Sequence, residues 1–200
     1  MCMIEKINNV LSEKEINNFI TMTKTIEPPF DNDRKLIHNE ENEYSVSRHL
    51  GRLQYTIKNI DHSLEIKLTK ITNSFLNTNY TLSGTTYVEY SSSFGVPNLP
   101  PHFDGDETDL MINYQFLSNT SWPIGIDKNT YIVEDNSAIV FNPNKSIHWR
   151  PKKIFKDDEF VKMIFFRFVD LKNKKDNSHL RYSLDHEILK DVNDFRNNLT

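Results

Sequence analysis

The hydrophobic period of this chain changes near residue 80, and that change limits the fold more than any other feature of the sequence. Before it, apolar residues recur at helical spacing. Ser12 and Glu15 form an S-x-x-E capping box, and Ile16, Phe19 and Ile20 give one apolar face to a helix that Pro28 and Pro29 stop. Leu64, Leu68, Ile71 and Phe75 predict an amphipathic helix over 61–77, with Asp61 as its cap. After it the period is 2. Thr85–Tyr90, Asp109–Leu117, Trp122–Ile126, Thr130–Val133, Ala138–Phe141 and Glu159–Val169 read as strands, with Asp127-Lys128-Asn129 and Glu134-Asp135-Asn136 as turns between them. Ile4–Val10 reads as a short opening strand or turn, and Leu184, Ile188 and Val192 give the tail, Leu184–Leu199, helical spacing. Helices followed by a run of short strands predict an α+β, mainly β fold, with helices packed on a jelly roll or sandwich. With no internal repeat and 200 residues, one domain is expected over 1–200, its strand core at 80–170.

The bulk numbers exclude several function classes. A net charge of −4 with a pI near 6.0 gives no global reason to expect nucleic-acid binding. No apolar run approaches the roughly 20 residues needed to span a bilayer. The one cysteine, Cys2, allows no intramolecular disulfide, and Glu5 and Lys6 interrupt any signal-peptide core, so a soluble, cytoplasmic protein is expected. The charged, Asn-rich stretch after Pro29 has little periodicity, and residues 29–57 are a candidate lid loop.

Against this frame one triplet stands out. His102, Phe103 and Asp104 form an H-x-D at the edge of a strand region, and a further histidine, His148, follows the Ala138–Phe141 strand. Side chains at i and i+2 of a strand share a face, so His102 and Asp104 can converge on one ion while Phe103 points away. Two histidines and one carboxylate with open positions are the ligand set of non-heme iron(II) oxygenases. A bare H-x-D carries little weight, and a single histidine on an apolar strand is more often structural. Strand order and flanking sequence supply the rest.

That flanking sequence resembles the iron(II)/2-oxoglutarate-dependent dioxygenases, in particular the branch with a prolyl 4-hydroxylase-like catalytic domain. "NNVLSEKEINNFITMTKT" resembles that branch's entry helix, and "TTYVEYSSSFGVPNLPPHFDGDETDLMINYQFLS" its strand, loop and H-x-D block. "NSAIVFNPNKSIHWRPKK" resembles the segment around the distal histidine, and "EFVKMIFFRFVD" the closing strand. The resemblance covers most of residues 4–170 and implies a double-stranded β-helix flanked by N-terminal helices and a C-terminal helix. It implies Fe(II) held by His102, Asp104 and His148, with 2-oxoglutarate and dioxygen as cosubstrates and succinate and CO2 as products. Two segments depart from the branch. "SNTSWPIGIDKN" stands where a Gly-Gly-Glu-Thr-like segment is usual, and Asp135-Asn136-Ser137 replaces a glycine-aspartate turn. The resemblance therefore does not carry a prolyl substrate over, and the substrate stays open between a small molecule and a peptide.

The far carboxylate of 2-oxoglutarate needs a cation, best an arginine fork. Arg150, two residues after His148, and Lys162, at the start of the closing strand with Ile164, Phe166 and Phe168 on its face, compete for that role. Arg150 is slightly favoured, and Arg167, on the opposite face of that strand, comes third. Tyr90 and Asn113 are further candidates for the cosubstrate pocket, as are Tyr87 and Gln115, though each of these four also fits core or outward packing. Two rivals stand beside the oxygenase reading: a jelly-roll binding domain without turnover, and another metal enzyme on a cupin-like barrel.

Overall fold

A computed structural model describes residues 4–24, 46–49, 51–57, 59–76, 79–97, 99–105 and 108–170. The predicted closing helix over Leu184–Leu199 lies outside the described residues. Among the described residues ten strands and two α-helices run in the order β1 (Ile4–Asn8), α1 (Glu13–Thr23), β2 (Val46–His49), β3 (Arg52–Ile57), α2 (His62–Leu76), β4 (Tyr80–Ser91), β5 (Leu110–Ser118), β6 (Ile124–Ile126), β7 (Asn129–Tyr131), β8 (Ser137–Phe141), β9 (His148–Trp149) and β10 (Phe160–Asp170).

Both helix starts follow from their caps. Ser12 Oγ accepts from the Glu15 amide at 3.3 Å while Glu15 Oε2 accepts from the Ser12 amide at 2.6 Å, which completes the capping box. Asp61 Oδ1 accepts from the Ser63 amide at 2.8 Å at the start of α2. The two helices are tied by a Lys67–Glu15 ion pair of 2.9 Å.

The strands form two antiparallel sheets, one of seven strands ordered β1-β8-β5-β10-β4-β3-β2 and one of three ordered β7-β6-β9. The large sheet is covered on both faces, which is why β5 and β10 read as nearly continuous apolar runs. On one face Leu110, Ile112, Tyr114 and Phe116 of β5 and Ile164, Phe166 and Phe168 of β10 pack on Phe19 of α1 and Leu64 and Leu68 of α2. On the other, Met111, Ile139 and Phe141 meet Ile124 and Ile126 of the small sheet. A third cluster holds Val88, Tyr90, Trp122 and Met163.

One expectation is corrected here. The supposed irregular segment 29–57 holds, over its second part, the β2–β3 hairpin that extends the large sheet beyond β4. Leu53, Tyr55 and Ile57 alternate with the half-buried Arg52, Gln54 and Thr56 and enter the helix-packed core. This short period-2 pattern sits in a charged, Asn-rich stretch that hides it. Residues 25–45 lie outside the described residues.

The turn that replaces the expected glycine-aspartate is built on Asn136, in the left-handed region at φ 57°. Asparagine tolerates that conformation because its short amide can bond locally. Here Asn136 Oδ1 accepts from the Leu11 amide at 2.9 Å and from Tyr114 Oη at 3.0 Å, and Nδ2 donates to Leu11 O at 3.0 Å. The turn thereby locks the start of α1 to the barrel.

Candidate active site

His102 and His148 come together through the backbone. Each amide donates to the other's carbonyl, at 3.1 and 2.9 Å, in an isolated antiparallel bridge beside β9. The Asp104 amide donates to Pro143 O at 2.9 Å, which fixes the third residue of the triplet against the turn before β9. Asp104 Oδ1 then lies 3.6 Å from His102 Nε2 and 3.5 Å from His148 Nε2, and one donor atom from each residue lies within 4.8 Å of the others. The three residues are close enough for one ion to touch all of them.

The second nitrogen of each ring decides the tautomer. His102 Nδ1 is 2.7 Å from Pro100 O, and His148 Nδ1 is 3.1 Å from Ser146 O. A carbonyl can only accept, so both Nδ1 atoms carry a proton, and both Nε2 atoms, the lone-pair position of a neutral ring, face Asp104. Orienting ligand imidazoles through the outer nitrogen is a recurrent feature of metal sites. Burial, and then the neighbouring His148, depress the His102 pKa, favouring the neutral imidazole. Burial raises that of Asp104, but the adjoining His148 and His102 rings and the charge of Arg167 outweigh it and hold the carboxyl ionised. Two imidazoles and a carboxylate suit a divalent metal such as Fe(II).

The triad opens on a pocket between the two sheets that Arg150, Tyr90, Asn113, Arg52 and Arg167 also line. Arg150 is buried, and its guanidinium lies 4.8 Å from the centre of the Trp122 ring. Its Nη1 donates to Trp122 O at 2.7 Å and Nη2 lies 3.0 Å from Met163 Sδ. Among the described residues no carboxylate pairs with it. Burial pushes its pKa down to about 10, so it stays charged near neutrality. Asn113 is buried on the same pocket, and among the described residues its Oδ1 has no hydrogen-bond partner. Tyr90 packs edge-on against Trp122, with ring centres 4.8 Å apart.

The structure separates the two competing cations. Lys162 does share a face with Ile164, Phe166 and Phe168, but that face packs on the helices, away from the pocket. Its ammonium pairs with Glu89 at 3.5 Å, beside the hydrogen bond from Tyr87 to the same carboxylate. Tyr87 belongs to the helix-packed core, and Gln115 donates to Ser118 Oγ and Asp135 Oδ1, so neither lines the pocket. Arg167, placed third from the sequence, lines the pocket and donates to Thr86 Oγ1 at 2.5 Å. Arg52 was not foreseen at all. Its signal was the alternation of Arg52, Gln54 and Thr56 with Leu53, Tyr55 and Ile57.

Comparison with known proteins agrees with this architecture. The solved structure of a 2OG-Fe(II) oxygenase family oxidoreductase from Burkholderia pseudomallei is similar, with a TM-score of 0.54 at 7% identity over 84% of this chain and 85% of that one. HygX from Streptomyces hygroscopicus, with nickel and 2-oxoglutarate bound, gives 0.57 at 8% identity over 84% and 83%. The chain has the double-stranded β-helix fold of these oxygenases. A Trichoplax adhaerens prolyl hydroxylase, solved with a hypoxia inducible factor peptide fragment, gives 0.52 at 14% identity over 84% of each chain. No protein-family model and no curated protein sequence matches the chain.

Proposed function

We propose that this protein is an Fe(II)- and 2-oxoglutarate-dependent oxygenase that hydroxylates a small molecule or a peptide side chain. The observation that carries the reading is the coincidence, in one pocket, of a convergent His-Asp-His set and a buried guanidinium with no carboxylate partner among the described residues. An uncompensated buried charge costs stability. A bound dicarboxylate would remove that cost at Arg150, with its other end at the metal. The described donors fit the group: two imidazoles with free Nε2 atoms and one ionised carboxylate leave coordination positions for a bidentate oxo-acid and dioxygen.

When bound, the metal, 2-oxoglutarate and dioxygen supply the oxidation: one oxygen atom goes into succinate as CO2 leaves, and the other is inserted into a substrate C–H bond. The chain's own residues position and exclude. His102, Asp104 and His148 hold the ion, and the Pro100 and Ser146 carbonyls keep both imidazoles oriented. Arg150 takes the far carboxylate, with Tyr90 and Asn113 as polar neighbours of the cosubstrate. Trp122 and Met163 pack around the guanidinium and keep water from it. The one cysteine, Cys2, agrees with a cytoplasmic, reducing setting. No helix among the described residues is long and apolar enough to cross a membrane.

Anaerobic reconstitution with Fe(II) and 2-oxoglutarate tests this directly. A weak visible charge-transfer band is expected in the native protein and not in His148→Ala, followed by succinate release on adding a competent substrate. Metal binding without any response to 2-oxoglutarate would favour a cupin-like metal enzyme instead, and failure of both would favour a binding domain.

A further inference from the structure

We infer that Arg52 is the anchor for an anionic group, a carboxylate or a phosphate ester, on the substrate that is oxidised. The inference rests on the oxygenase reading and deepens it. Three arginines, Arg52, Arg150 and Arg167, line the pocket, against one carboxylate among the described lining residues, Asp104. A divalent ion and a doubly charged cosubstrate add no net charge between them, so the loaded pocket keeps an excess of two positive charges (three minus one). Clefts with one sign of charge and poorly hydrated walls concentrate ligands of the other sign. Arg150 meets the cosubstrate and Arg167 is bonded to Thr86 Oγ1.

Arg52 is different. Among the described residues its buried Nε has no hydrogen-bond partner, and the bond from Nη1 to Tyr90 Oη is long at 3.5 Å. Elsewhere in the described structure, partly buried lysines find carboxylates: Lys67 has Glu15, Lys153 has Glu159 and Lys162 has Glu89. Arg52 has none. Its position is also built. Gly51, at φ +70°, sits so close to the Val96–Pro97 backbone that a Cβ there would lie 2.3 Å from Val96 O. Only glycine fits, and the contact sets the start of β3 against the segment that leads into His102. Leu53 then enters the helix-packed core, which leaves Arg52 on the pocket side at the rim. A planar fork with unmet donors at that place suits a two-oxygen anion on a molecule entering from solvent.

The experiment uses full-length protein in molar excess over Mn(II), saturated with 2-oxoglutarate, and reads Mn(II)-induced broadening of probe proton resonances. The probes are aspartate against asparagine, glutamate against glutamine, and phosphoserine against serine. At least one acid should bind about tenfold more tightly than its neutral partner, the scale of one charge-assisted hydrogen-bond pair. The pair that shows the preference separates carboxylate from phosphate. Arg52→Gln should abolish the preference and Arg52→Lys should retain part of it, while both keep the melting shift caused by 2-oxoglutarate, which also shows that they fold. Equal binding of every acid and its neutral partner in the native protein, or an undiminished preference in Arg52→Gln, would overturn the inference. Loss of the 2-oxoglutarate shift in Arg52→Gln alone would assign Arg52 to the cosubstrate and overturn it as well. Absence of that shift in the native protein would instead defeat the underlying oxygenase reading.

Discussion

Lys162 and Arg150 are both cations set among apolar side chains, on opposite sides of the large sheet, and their surroundings differ in one respect. Lys162 faces the helices and has Glu89 at 3.5 Å. Arg150 follows β9 of the small sheet, reaches Met163 of β10 on the pocket side, and has a carbonyl, a thioether and an indole ring, but no carboxylate among the described residues. A compensated charge is explained by the fold itself. An uncompensated one is explained by something the fold receives, and Arg150 shares its pocket with the convergent triad.

The sharpest way to break this contrast is at the metal ligands. His148→Ala or Asp104→Ala should weaken Mn(II) or Fe(II) binding by at least about 100-fold, since even residues behind the ligands commonly cost 10- to 100-fold. The far-UV spectrum should change little, because the His102–His148 bridge is made by backbone atoms. Metal titration by calorimetry checks it, and full occupancy in His148→Ala would sink the triad. Next in size is Arg150→Met. It should lose about 2 to 5 kcal/mol of 2-oxoglutarate binding. Without ligand, however, the same variant should be as stable as the native protein or more so, by up to a few kcal/mol, because an apolar side chain replaces a buried unpaired charge. Marked destabilisation in a denaturant melt without ligand would mean that Arg150 is structural.

Lys162→Met should behave in the opposite way. The pair is partly exposed, so about 1 kcal/mol of stability is at stake and 2-oxoglutarate binding should be unaffected. The smallest effect concerns Glu15 on the helix side. Burial raises its pKa, but hydrogen bonds from Lys67 and Ser12 outweigh this and leave it below the ordinary 4.5. A carboxylate with a lowered folded pKa contributes stability that is complete above its unfolded pKa and fades as pH falls through the folded value. Lys67→Met should therefore flatten the loss of stability on acidification below about pH 4.5, as followed by urea melts across that range. Arg150→Met, which touches neither Lys67 nor Glu15, should leave that acid limb unchanged.

The sequence made some of this legible for physical reasons. Spacing of i and i+2 on extended chain put His102 with Asp104 and His148 with Arg150, and the caps at Ser12 and Asp61 marked both helix starts. Period 2 also grouped Lys162 correctly with Ile164, Phe166 and Phe168. It could not say which side of a doubly covered sheet that group faces, because both faces of β10 are apolar. The same ambiguity put Arg167 third, although it stands on the pocket side. Arg52 was missed because three buried residues, Leu53, Tyr55 and Ile57, are a weak signal after a long charged stretch. His148–Trp149, a strand of two residues, is too short to show any period.

The central claim, that Arg150 awaits the far carboxylate of a metal-bound 2-oxoglutarate, is tested most directly by melting three proteins in Mn(II) with and without the cosubstrate. At 100 times its dissociation constant a ligand stabilises the folded state by about 2.7 kcal/mol, a melting shift of roughly 5 to 10 °C for a chain of this size. The account predicts that shift in the native protein and in Lys162→Met, and its loss in Arg150→Met. A shift kept by Arg150→Met and lost by Lys162→Met would contradict it.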